Sequence, residues 1–121
     1  MKALDSKILI VDRNRSYFNI LRYHFPNLNF VFYNIRSKEP KIDLDGIEIV
    51  FLNCDEINLN VFTECFNKAK WIFMIVMSRD TFTVDYSNYF FLIDSGWTKL
   101  ELMGYVSQSF RKIELENFKK F

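Results

Sequence analysis

The chain has 121 residues, enough for one domain around one hydrophobic core. Hydrophobic residues make up 50% of it and 14 are Phe, a composition that excludes intrinsic disorder. Its 16 basic and 15 acidic residues leave a net charge of +1, which excludes a strong field for steering nucleic acid or for holding an anionic membrane surface.

Ile8 to Val11 is a continuous aliphatic run, predicted as a strand buried on both faces, and Asp12 ends it. Asn14 is placed to cap a helix running to about Phe25. Tyr17, Phe18, Ile20, Leu21, His24 and Phe25 fall at helical spacing there, and Pro26 stops the helix. Asn29 to Ile35 is a second strand. The stretch from Arg36 to Gly46 contains Glu39-Pro40 and holds at most a short helix. Ile47 to Asn53 is the third strand. A helix starts at Asn58 or Asn60 and runs to about Lys70, with Phe62, Cys65, Phe66 and Ala69 on one side.

Trp71 to Met77 is a fourth, central strand, and Ser78 to Asn88 connects it to the fifth, Tyr89 to Ile93. The last helix runs from about Thr98 to about Phe118. Leu100, Met103, Val106, Phe110, Ile113 and Asn117 form its expected stripe. Gly104 costs that helix about 1 kcal/mol relative to Ala, and the expected return is close packing. Strands alternating with helices predict a single doubly wound α/β domain over residues 1–121. In such a domain functional groups gather at the carboxyl ends of the strands, where Asp12, Asn53 and Ser78 all fall.

The run Lys7-Ile-Leu-Ile-Val-Asp12-Arg13-Asn14-Arg-Ser-Tyr-Phe-Asn-Ile-Leu21 resembles the opening strand, acidic pair and first helix of bacterial response-regulator receiver domains. The likeness extends from about Lys7 to about Phe118, although the later motifs match in position more than in identity. It implies a flavodoxin-like fold, a five-stranded parallel sheet in the order 2-1-3-4-5. It also implies a place in two-component signalling and phosphorelays. In that family two acids after the first strand hold magnesium, and an aspartate after the third strand accepts a phosphoryl group. A Ser or Thr after the fourth strand and a Lys after the fifth contact the phosphoryl oxygens. Phosphoryl transfer needs a carboxylate nucleophile, a hard cation on oxygen ligands and positive charge on the transferred group.

The sequence keeps Asp12 but has Arg13 in place of the second acid. Asn53 stands in place of the nucleophile, and its neutral amide is a very poor one. Ser78 fits the hydroxyl position, but the fifth strand ends Asp94-Ser95-Gly96-Trp97 with no Lys-Pro. The implied phosphorylation pocket, Asp12, Arg13, Asn53 and Ser78, is therefore degenerate. Asp55 becomes an alternative acceptor if the third strand runs longer. Arg13 either replaces the lost lysine charge or pairs with Asp12 through two parallel hydrogen bonds.

The connection from Ser78 to Asn88 is short for a full helix and its loops, and Thr81 to Tyr86 is rich in weak helix formers. Shortened second and fourth helices are expected. The partner face that the resemblance implies is reshaped, with Phe82, Tyr86, Tyr89 and Trp97 as candidate interface residues and burial in the core as the plain alternative.

Cys54 and Cys65 have neither CxxC spacing nor a disulfide framework, and both read as reduced thiols with Cys65 in the core. His24 reads as structural. No glycine-rich phosphate loop, hydrolase signature or metal motif is present, so no cofactor and no metal is expected. No signal-peptide run or membrane-length apolar stretch occurs, and the expected location is cytoplasmic.

The charged end from Glu114 to Lys120 reads as a solvated helix terminus, with a docking tail or linker stub as the alternative. The expected function is a non-enzymatic, receiver-like module that acts by protein–protein interaction. Its partner is a signalling protein or a second copy of the chain, not nucleic acid or a membrane. The alternatives are a residual magnesium and phosphoryl switch using Asp12, Ser78 and Asp55, and a small-ligand binder in the vacated pocket.

Overall fold

The computed structural model describes residues 7–35, 44–53, 65, 67–77 and 90–119. Five strands form one parallel sheet: β1 (Lys7–Asp12), β2 (Asn29–Asn34), β3 (Ile47–Asn53), β4 (Trp71–Val76) and β5 (Phe90–Asp94). Their order is β2-β1-β3-β4-β5, the flavodoxin-like arrangement expected from the sequence. Two helices are described in full, α1 (Ser16–His24) and α2 (Lys99–Lys119). Cys65, Asn67 and Lys68 are also helical, within the stretch predicted as a helix before β4. Residues 36–43 and 78–88, which make up most of the segments expected to hold shortened second and fourth helices, lie outside the described residues. Among the described residues, no helix is long and apolar enough to cross a membrane.

Successive residues on a strand point to opposite faces, so a run of unbroken apolar residues feeds two cores. One face carries Ile8, Ile10, Ile49, Phe51, Phe73, Ile75 and Ile93, and α1 and α2 cover it. The other carries Leu9, Val11, Val50, Leu52, Ile72, Met74 and Leu92, with Cys65 and Leu44 packed there. Cys65 is thus a buried core thiol, as its place in the pattern predicts.

Parallel register puts Phe51 beside Phe73 and Phe73 beside Phe91. Adjacent strands lie about 4.8 Å apart, and the rings accordingly stack at 4.2 Å and 4.6 Å between centroids. Phe110 of α2 meets Phe51 and Phe73 edge-on, at 6.2 Å and 5.8 Å. Such pairs add about 0.5–1.5 kcal/mol each beyond burial, so this aromatic array binds the last helix to the centre of the sheet.

Three local expectations are corrected. Leu100 is 85% exposed, and Leu102 takes its place on the buried stripe with Met103, Val106, Phe110 and Ile113. Residues two apart on a helix differ by about 200° in direction, so Leu100 and Leu102 cannot share a face. Gly104 marks no close approach among the described residues, where a Cβ added there meets nothing within 4 Å. His24 lies exposed at the end of α1, edge-on to Tyr23 at 5.3 Å, rather than on its packed side.

The start of α1 also differs in detail. Asn14 Oδ1 accepts the Ser16 amide at 3.0 Å, a turn two residues long that precedes the helix instead of capping its interior. The turn before β3 uses Gly46 at φ 74°, with the Ile47 amide donating to the Leu44 carbonyl at 3.1 Å. Positive φ at that position suits glycine and sets the direction in which β3 enters the sheet.

Candidate functional site

Asp12 is the last residue of β1, and Asn53 is the last residue of β3. The register pairs Val11 with Leu52, which sets Asp12 and Asn53 side by side on adjacent strands. Asn34 pairs with Asp12 from β2, and Asp94 ends β5 opposite Val76. A polar row therefore follows the carboxyl edge of the sheet above two apolar cores. Its centre is the β1–β3 pair, where strand order reverses.

Asp12 is only 1% exposed. Its Oδ1 accepts two hydrogen bonds, from Asn53 Nδ2 at 3.0 Å and from the Arg13 backbone amide at 2.7 Å. A buried carboxylate without partners costs several kcal/mol, and the two donors offset that cost. The Asp12 carbonyl also accepts the Ile35 amide at 3.1 Å, which continues the β1–β2 pairing past the strand end. The carboxylate is thereby fixed by its own backbone surroundings and by one side chain brought from 41 positions away.

Of the pocket residues expected from the sequence, the structure brings together Asp12 and Asn53. Arg13 meets Asp12 through its backbone amide, while its side chain is exposed. Ser78 and Asp55 lie outside the described residues, as do Phe82, Tyr86 and Tyr89. Trp97 is described: it is half-buried, its ring packs on Tyr105 at 5.1 Å, and its amide donates to the Asp94 carbonyl at 3.1 Å.

The chemistry open to the pair is limited. An amide nitrogen that donates to a carboxylate has no lone pair to offer an electrophile. Asp94 Oδ1 accepts the Gly96 amide at 2.8 Å, so the end of β5 presents an acid folded back on its own turn. A Cβ on Gly96 would lie 3.2 Å from that oxygen, which makes the turn tight. Among the described residues, no group of three or more His, Cys, Asp or Glu side chains is arranged to hold a metal ion.

Sequence reasoning missed two features around this edge. Tyr105 Oη accepts the Leu92 amide at 3.0 Å, so α2 closes an outward-facing donor of the edge strand β5. Thr98 and Glu101 form a reciprocal cap: the Thr98 amide donates to Glu101 Oε1 at 3.1 Å and the Glu101 amide to Thr98 Oγ1 at 3.2 Å. The pattern Thr98-Lys-Leu-Glu101 carries the second signal in plain form. The first depends on the approach of two elements and has no local signature.

No protein-family model matches the chain, and a comparison with curated proteins finds no match.

Proposed function

We propose that this chain is a receiver-like interaction module that works without aspartyl phosphorylation. The observation that supports the reading is the Asn53–Asp12 hydrogen bond. A neutral amide stands at the end of β3, where the resemblance calls for a nucleophilic carboxylate. It donates to Asp12, the one buried acid of the edge among the described residues. Asn53 and the Arg13 amide both donate to Asp12, which suits a structural unit better than a reaction centre. In this reading the module acts in a signalling pathway by binding a protein partner or a second copy of itself.

Titration of the labelled protein with magnesium and then beryllofluoride, followed by amide NMR, tests the reading. The expected result is a well-dispersed spectrum with no localised shifts at Asp12, Arg13 or Asn53. Saturable shifts there would overturn it in favour of a phosphoryl-sensing switch.

A further inference from the structure

Arg15 and Arg22 stand seven residues apart, two helical turns, at the start and end of α1. Phe18 lies three residues after the first and four before the second, so all three side chains share one flank of the helix. The Arg15 guanidinium carbon is 5.3 Å from the Phe18 ring centroid and 5.0 Å from that of Phe32 on β2. The Arg22 guanidinium carbon is 5.2 Å from the Phe18 centroid. Phe18 and Phe32 contact each other at 5.6 Å, so the two cations rest on one aromatic floor.

Both arginines are exposed, whereas Phe18 is buried and Phe32 half-buried. Stacking over a ring uses the flat face of a guanidinium and leaves its N–H donors at the rim. Among the described residues no carboxylate pairs with either arginine. The local sequence explains this: from Arg13 to Lys38 the chain carries Arg13, Arg15, Arg22, Arg36 and Lys38 and no acidic residue. Two like charges held against one ring repel each other, and an anion placed between them removes the repulsion.

We propose that the Arg15–Arg22 face of α1 docks an acidic segment of a partner protein. Carboxylates suit the planar donors through paired hydrogen bonds, and the aromatic floor has already restricted the arginine side chains before binding. Nucleic acid fits less well. Binding of single strands stacks bases on open aromatic faces, but Phe18 is buried and Arg15 covers Phe32. The net charge of +1 also supplies no long-range attraction for a polyanion. The proposal stands on α1 and β2 alone, so it can fail while the phosphorylation-independent reading survives, and the reverse.

The test uses a capped peptide of about ten residues alternating Glu and Ala, with a Lys–Ala peptide and oligothymidylate of similar length as comparators. Saturable NMR shifts at Arg15, Asn19 and Arg22, including the arginine side-chain N–H signals, are expected with the acidic peptide alone. Affinity should fall about tenfold in the Arg15→Gln/Arg22→Gln double variant. Arg15→Lys, which keeps the charge but loses the planar fork, should weaken binding by a smaller factor.

Shifts spread evenly over other exposed cations such as Lys99 and Arg111 would overturn the proposal. Undiminished binding by the folded double variant would do so too. A stronger response of the same residues to oligothymidylate would replace the acidic peptide with nucleic acid. The mapping on the unmodified protein decides the matter even if a variant folds poorly.

Discussion

Two polar pairs of nearly equal length do different work in this molecule. At the carboxyl edge, Asn53 Nδ2 meets the buried Asp12 Oδ1 at 3.0 Å in a part-buried bond. At the start of α2, the exposed Thr98 hydroxyl meets Glu101 Oε1, also at 3.0 Å. The first joins strands 41 positions apart, and the second closes within one helical turn. Equal geometry therefore says little about consequence. Burial decides what a lost partner costs, because a group left in water finds a substitute and a group left in the core does not.

The most severe way to break the edge pair is to turn its donor into a second acid. Asn53→Asp sets a second carboxylate about 3 Å from the buried Asp12, and we expect a loss of about 3 kcal/mol at neutral pH. The mutual repulsion raises the folded-state pKa of one acid above its unfolded value. Its penalty is therefore small while both groups are easily protonated and grows as pH rises from about 4 towards 7. Denaturant melts of the variant and the parent at the two pH values measure the difference. An equal loss at both would show that shape, not charge, makes Asn53 fit.

The Tyr105–Leu92 bond is part-buried like the edge pair and spans 13 positions, but it joins neutral groups. Tyr105→Phe keeps the ring against Trp97 and removes the acceptor of the Leu92 amide, for an expected loss of about 1.5 kcal/mol. Hydrogen exchange of the Leu92 amide should quicken more than that of its neighbours on β5. At the exposed pair, Thr98→Ala removes one arm of the cap, and a loss of about 1 kcal/mol is expected. Chemical denaturation gives that value directly, and a loss as large as that of Asn53→Asp would contradict the role assigned to burial.

The same contrast explains what the sequence made legible. Unbroken apolar runs such as Ile8–Val11 and Trp71–Val76 announce strands buried on both faces, and all five strands lie where those runs fall. Asp12 and Asn53 could be assigned to one edge because each follows such a run, yet their bond depends on register, which no local pattern encodes. The Thr98–Glu101 cap was readable within four residues. The Arg15–Phe18–Arg22 cluster was half readable: spacing puts the three on one flank, but Phe32 arrives from another strand. Leu100 shows the opposite failure, since apolar identity suggested burial and helical phase forbade it.

Gly104 is the smallest test and has the opposite sign. A glycine inside a 21-residue helix suggested a close contact, but the buried stripe of α2 runs along Leu102, Val106, Phe110 and Ile113, nearly opposite to it. With nothing among the described residues within 4 Å of an added Cβ, the position carries the entropic cost of glycine without a packing gain. Gly104→Ala should therefore stabilise the protein by somewhat under about 1 kcal/mol, through the unfolded chain as much as through the helix. A higher denaturation midpoint with an unchanged slope is the expected readout. A loss of stability would mean that something packs on this face of α2, and the face would then belong with the partner-binding surfaces.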